Sequence, residues 1–168
     1  LTATSISTVG SLFANILNDN SGNIVGAADL SLNLTGDLTT VGDSTLLISN
    51  FGGTIGSDAV ISVTAGNTTA NSFLAEINNS NGGTIGGSAN LAFSLSGQLA
   101  QLAPQSNTGF TINNSNGMIG ADAVINLTAN NIATGGVFNA LIDNNRRGTI
   151  SGGADLSVNL SGDLGAEG

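Results

Sequence analysis

The sequence contains no cysteine, histidine, lysine, tryptophan or tyrosine, and its 168 residues include one proline, one methionine and two arginines. Without cysteine there is no disulfide framework and no thiolate to act as nucleophile or metal ligand. Without histidine, imidazole-ligated metal sites and serine–histidine nucleophile pairs are excluded. Arg146 and Arg147 are the only cations against eleven carboxylates, a formal charge of -9. Phosphate backbones are bound by displacing counterions with Lys and Arg, so nucleic acid is excluded as a partner, and an anionic membrane surface with it. Apolar runs are only a few residues long, so no segment suits a bilayer span. The missing tryptophan and tyrosine remove the usual platforms for stacking sugars.

What is present argues for a folded chain. Hydrophobic residues make up 40% of the sequence, too many for disorder. They are chiefly Ala, Leu, Ile and Val, which suit small regular layers. The 25 glycines are spread through the chain as turn punctuation, not gathered into a linker. No secretory signal is visible, and the sequence opens at Leu1 without a methionine, which reads as an excised or mature piece of a longer protein. A polar set of Asn, Ser, Thr, Gly and Asp with almost no Glu points to an extracellular setting.

The organising feature is an internal repeat. The stretch Gly83-Thr84-Ile85-Gly86-Gly87-Ser88-Ala89-Asn90-Leu91 recurs with edits around Ile24, Ile55, Ile119 and Ile150, at spacings of 31, 30, 34 and 31 residues. Such a period marks a repeat architecture. After a partial unit, 1–9, five units follow at 10–41, 42–70, 71–104, 105–135 and 136–168. They alternate between two flavours. Odd units end in Leu-x-x-x-Leu-(Ser/Thr)-Gly-(Asp/Gln)-Leu, whereas even units carry Asp58-Ala59-Val60-Ile61 and Asp122-Ala123-Val124-Ile125.

Within a unit, apolar and polar residues alternate with the period of a strand buried on one face. Aligned on the motif, Ala28, Ala59, Ala89, Ala123 and Ala154 form one column, and Ile24, Ile55, Ile85, Ile119 and Ile150 another. A column that is alanine in every copy marks a place with room for a methyl and no more. Before the motif, odd units read Phe13-x-Asn15-x-Leu17, Phe73-x-Ala75-x-Ile77 and Phe138-x-Ala140-x-Ile142. Even units read Ser44-x-Leu46-x-Ile48 and Thr108-x-Phe110-x-Ile112. The large residue shifts by two positions between flavours, so units stacked in chain order would place each bulky side chain over a small one. An asparagine-rich corner follows, with Asn18, Asn50, Asn78, Asn79, Asn113, Asn114 and Asn144 as candidates for an amide-to-amide ladder.

These columns need in-register parallel stacking, which predicts a parallel β-helix, or β-solenoid, of about five coils. Each coil is expected to hold three short strands, and the rod to run roughly 24 Å. Hairpin-built sandwiches would pair unlike parts of the unit, and propeller blades need a longer one. The columns and asparagine corners resemble the β-helical repeats of large bacterial secreted or surface adhesins of the filamentous haemagglutinin and autotransporter passenger type. The resemblance implies a surface-exposed rod with an adhesive role, for which a host surface or glycan is the expected partner.

No constellation in the sequence suggests a reaction. Asp58 and Asp122 share a column but would stand two layers, near 10 Å, apart. The segment around Asp58 is similar to calcium-binding glycine–aspartate nonapeptides, yet Ser88 and Gly153 replace it in sister units, so the corner aspartates are read as solvated and no metal or cofactor is expected. Arg146 and Arg147 are read as a solvated loop balancing Asp143 and Asp155, with a contact site for an acidic or carbohydrate partner as the alternative. The leading expectation is a non-enzymatic structural or adhesive segment that self-associates through its ends, because terminal coils expose unpaired backbone. Alternatives are an ice-binding solenoid, from the aligned Thr54, Thr84 and Thr149, and a carbohydrate-binding or carbohydrate-active β-helix.

Overall fold

A computed structural model describes residues 1–166, all in strands, turns and connections with no helix. The chain winds as a parallel β-solenoid. Each coil has four strands, not three; the coil 42–70 contributes Ser44–Ser49, Thr54–Ile55, Ala59–Ala65 and Thr68–Ala70. Every strand pairs in parallel with its counterpart in the adjacent coil, on both sides in the inner coils and on one side in the terminal ones. Four sheets result. Sheet A contains Ala59–Ala65, sheet B Thr68–Ala70, sheet C Ser44–Ser49 and sheet D Thr54–Ile55, with six strands each in A and B and five each in C and D. The additional strand comes from the unit's ending, where the Ser/Thr-Gly pair of the motif turns the chain between sheets A and B.

Both motif columns stand in register. Ala28, Ala59, Ala89, Ala123 and Ala154 stack through sheet A, and Ile24, Ile55, Ile85, Ile119 and Ile150 through sheet D. Ala59, Ala89 and Ala123 are completely buried, as are Ile55, Ile85 and Ile119. The glycine opening the motif is imposed by close approach. A Cβ on Gly53, Gly83, Gly117 or Gly148 would overlap the backbone carbonyl oxygen of Asn18, Asn50, Asn79 or Asn114 in the coil before.

Sheet C corrects the expected register of the first coil. Leu12, Ala14 and Ile16 pair with Ser44, Leu46 and Ile48 and point inward. Phe13 and Leu17, read from sequence as core, instead lie outside at 66% and 63% exposure. The cause is strand alternation: carrying Asn18 onto Asn50 places Ile16 on Ile48, so the odd-numbered residues of this strand face solvent. With that correction the two flavours interlock throughout. One column reads Leu12, Ser44, Phe73, Thr108, Phe138, and the next Ala14, Leu46, Ala75, Phe110, Ala140. Sheet A repeats the device, with Ala3, Ala65 and Ala129 beside Leu34, Leu95 and Leu160 respectively.

The small members of the first of these columns, Ser44 and Thr108, are polar, and their hydroxyls are bonded in the interior. Ser44 Oγ lies 2.9 Å from Thr40 Oγ1, and Thr108 Oγ1 accepts from Gln101 Nε2 at 2.8 Å. Opposite them, Phe93 of sheet A packs edge-on against Phe73 and Phe110, at centroid separations of 5.6 and 4.8 Å, a favoured aromatic geometry. The interior opens at the last coil, where Leu156 and Leu164 are 44% and 53% exposed.

Two adjacent glycines separate close approach from backbone conformation. Gly82 has φ of +83° with open space around its Cβ position, whereas Gly83 has ordinary φ and no space. Gly82→Ala should therefore cost about 1 kcal/mol, and Gly83→Ala roughly 3 kcal/mol or more, because backbone must move. Chemical denaturation of the two variants checks this; equal losses would refute the close-approach argument.

Candidate functional site

The corner between sheets C and D gathers the polar residues singled out from sequence. Asn18 Nδ2 donates to Asn50 Oδ1 at 2.7 Å, Asn50 to Asn79 at 2.7 Å, Asn79 to Asn114 at 2.7 Å and Asn114 to Asn144 at 2.8 Å. Each amide donates its second hydrogen to a carbonyl oxygen of sheet D one coil on, at Thr54, Thr84, Met118 and Thr149. The ladder has one asparagine per coil, so two of the seven candidates fall outside it. Asn78 and Asn113 precede the ladder residues by one position and pair with Ser49 and Asp143 in the neighbouring outward row. Sequence spacing alone leaves this register open, because two adjacent asparagines present the same composition one residue apart.

The ladder has a direction. Amide nitrogens point toward the last coil and carbonyl oxygens toward the first, so Asn144 ends the run with an amide that meets no acceptor among the described residues. Asn50, Asn79 and Asn114 are completely buried, and burial of so many amides is tolerable because each is bonded on both sides.

The corner aspartates are not merely solvated, as expected from sequence, but bonded between coils. Asp58 Oδ1 accepts from the Ser88 N–H at 2.7 Å and Asp122 Oδ1 from the Gly153 N–H at 2.7 Å. Asp37 Oδ1 accepts from the Asn67 N–H at 2.7 Å, and Asn67 Oδ1 in turn from the Gln98 N–H at 3.0 Å. Asp19 accepts from Ser49 Oγ at 2.6 Å and from the Phe51 N–H at 3.2 Å. These short side chains reach a backbone donor one coil away. Asp43 accepts from Ser72 Oγ and Asn71 Nδ2, and those bonds hold its carboxyl below the usual aspartate range.

Among the described residues no three acidic side chains converge as a metal-binding group. Thr54, Thr84 and Thr149 do align on the outside of sheet D, with Asn23 and Met118 interrupting the row. Sequence reasoning missed the groove running along the C–D corner, about 660 Å³, with Phe51, Asn81, Asn116, Arg146 and Arg147 among its walls. Its signal was available: the only two cations occupy a corner position held by asparagine, serine or glycine in sister coils.

Glu76 stands apart from the corner network. It lies on the outer row of sheet C between Leu47 and Thr111, and desolvation by these neighbours raises its carboxyl above the usual glutamate range.

Asn79→Ala strands the Asn114 Oδ1 acceptor and the Met118 carbonyl, and should cost about 2–4 kcal/mol, while Asn144→Ala removes one part-buried bond at the ladder's end and should cost about 1 kcal/mol; thermal denaturation of the pair tests the ladder. Glu76 binds its proton more tightly in the folded state, so its contribution to stability is greatest below the unfolded pKa and falls as pH rises from there through the raised folded pKa. Glu76→Gln should flatten that slope and raise the thermal midpoint at neutral pH relative to the parent, whereas a lowered midpoint would show that the carboxylate makes a stabilising contact.

No family model, curated protein or solved structure matches this chain.

Proposed function

We propose that this chain is a non-enzymatic structural and adhesive rod segment of an extracellular fibrous or cell-surface repeat protein, one that joins end to end with further coils. The observation carrying this reading is the open final coil. Its apolar interior is exposed at Leu156 and Leu164, and its strands in sheets A and B have edges that are unpaired among the described residues. The commitment of Asp19, Asp37, Asp43, Asp58 and Asp122 to hydrogen bonds between coils supports a role in holding the rod together over one in acid–base chemistry.

The two ends also match in flavour. Sheet A ends with Leu160 next to Ala129 and begins with Ala3 next to Leu34, so a second copy placed on the last coil would set Ala3 beside Leu160 and continue the alternation. Because sheets A and B have six strands and C and D five, the joint would leave room for one strand in each of C and D. Ice binding is a second reading, favoured by Thr54 and Thr84 in register on sheet D; Asn23 and Met118 narrow it, and thermal hysteresis would be its measure.

Electron microscopy of the purified chain, with its mass in solution, tests the leading reading. End-to-end joining should give thin filaments with an axial repeat of six strand spacings, about 29 Å. A monodisperse monomer at high concentration would refute joining through the ends.

A further inference from the structure

The groove along the C–D corner carries the inference furthest. At this corner the backbone turns through left-handed φ in every coil: Asn20 and Ser21 at +53° and +69°, Gly52 at +70°, Asn81 and Gly82 at +54° and +83°, and Asn116 at +56°. Asparagine and glycine adopt that region readily. The last coil instead places Arg146 and Arg147 there, at +48° and +72°, two long side chains in succession where they are strained. Backbone strain of this kind persists where the surrounding structure enforces it and concentrates at functional sites.

Nothing within the fold explains the arginines. Among the described residues no carboxylate lies within ion-pair distance of either guanidinium. Asp143, expected from sequence to balance them, accepts instead from Asn145 Nδ2 at 2.8 Å. Both arginines are exposed and wall the groove, together with the amides of Asn81 and Asn116; Phe51, 43% exposed, stands at the opposite end. None of the groove's lining residues is acidic.

The chemistry of the walls selects a class of ligand. The corner's backbone donors are already used between coils: Gly52 N–H to Ser80 O, Asn81 N–H to Ser115 O, and Gly82 N–H to Asn116 O. Between Phe51 and Asn116 no free strand edge is offered to a peptide, and the side chains along the groove are chiefly a guanidinium pair, a row of amides and one aromatic ring. Guanidinium groups match a carboxylate or sulfate, amides match hydroxyls, and a ring face packs against a sugar. From Phe51 to Arg146 is three coil steps, about 14 Å, the length of a trisaccharide. The formal charge of -9 disfavours a polyanion, whose charge would face the carboxylates beyond the groove.

We propose that this groove binds an oligosaccharide whose neutral body lies along the asparagine corner and whose single acidic terminal sugar sits on Arg146 and Arg147. The inference rests on the reading of the chain as a displayed adhesive rod, and assigns that rod a ligand and a face.

Titration of the full chain with 3′-sialyllactose, 3′-sulfolactose and lactose, followed by saturation-transfer NMR, tests it. At least one acidic sugar should bind saturably and about tenfold more tightly than lactose, and the comparison of the two distinguishes carboxylate from sulfate. The double variant Arg146→Asn/Arg147→Gly should lose that preference while keeping or raising the thermal midpoint, since it restores residues suited to left-handed φ. Phe51→Ala should weaken all three sugars together. Equal binding of acidic sugars by parent and double variant, no saturable binding by the parent, or a lowered midpoint in the double variant would each overturn the proposal. Measuring monomer and filament separately keeps the two readings distinct: binding without filaments overturns the joining of ends alone, and filaments without binding overturn the groove alone.

Discussion

Every coil of this solenoid rests on the one before it through backbone hydrogen bonds joining the same position in successive repeats. That constraint fixes much of the rest. Because strand neighbours lie near 4.8 Å apart, like side chains are held in stacks, and a residue type is acceptable only if it tolerates its own copy, or its alternate, directly above and below. Alanine in sheet A and isoleucine in sheet D tolerate identity. Asparagine profits from it, since an amide is both donor and acceptor and can bond to its own image without limit. The same approach of backbones excludes a Cβ at Gly53, Gly83, Gly117 and Gly148, so the most recognisable feature of the repeat is a consequence of stacking itself.

Where identity fails, the chain alternates. Phenylalanine above phenylalanine in one column would crowd the interior, and alanine above alanine beside it would leave a void; both carry a cost. Placing Phe73 beside Ser44 and Thr108, with Ala75 beside Leu46 and Phe110, fills the space with two kinds of coil. The doubled period is thus a packing solution, and it makes each coil selective for a neighbour of the other flavour.

The acidic composition has a related origin. A corner turns the backbone away from its sheet and exposes N–H groups that a short side chain from the adjacent coil can accept. Aspartate and asparagine have that reach, and Asp37 and Asn67 perform the same task in consecutive coils. Much of the negative charge is therefore a by-product of bonding between coils. Against that background the arginine pair is out of keeping, in charge and in backbone conformation alike.

How much of this was legible beforehand follows the same physics. Repeat length, the alanine and isoleucine columns, parallel stacking and the two flavours all express a side chain's relation to its own copy, which is written in the sequence as recurrence. By contrast, the inward placement of Leu12 over Phe13, the choice of Asn79 over Asn78 for the ladder, and the division of the unit's ending into two strands depend on which residue faces which across a coil. A shift of one residue leaves recurrence unchanged and reverses every side chain in the strand. The arginine pair was visible as the chain's only cations, but the groove lay further out of reach, since it is assembled from four coils and no single repeat contains it. Sequence by itself determined the periodic interior of this protein; only the tertiary structure decided register and surface, because these are fixed by contacts between coils.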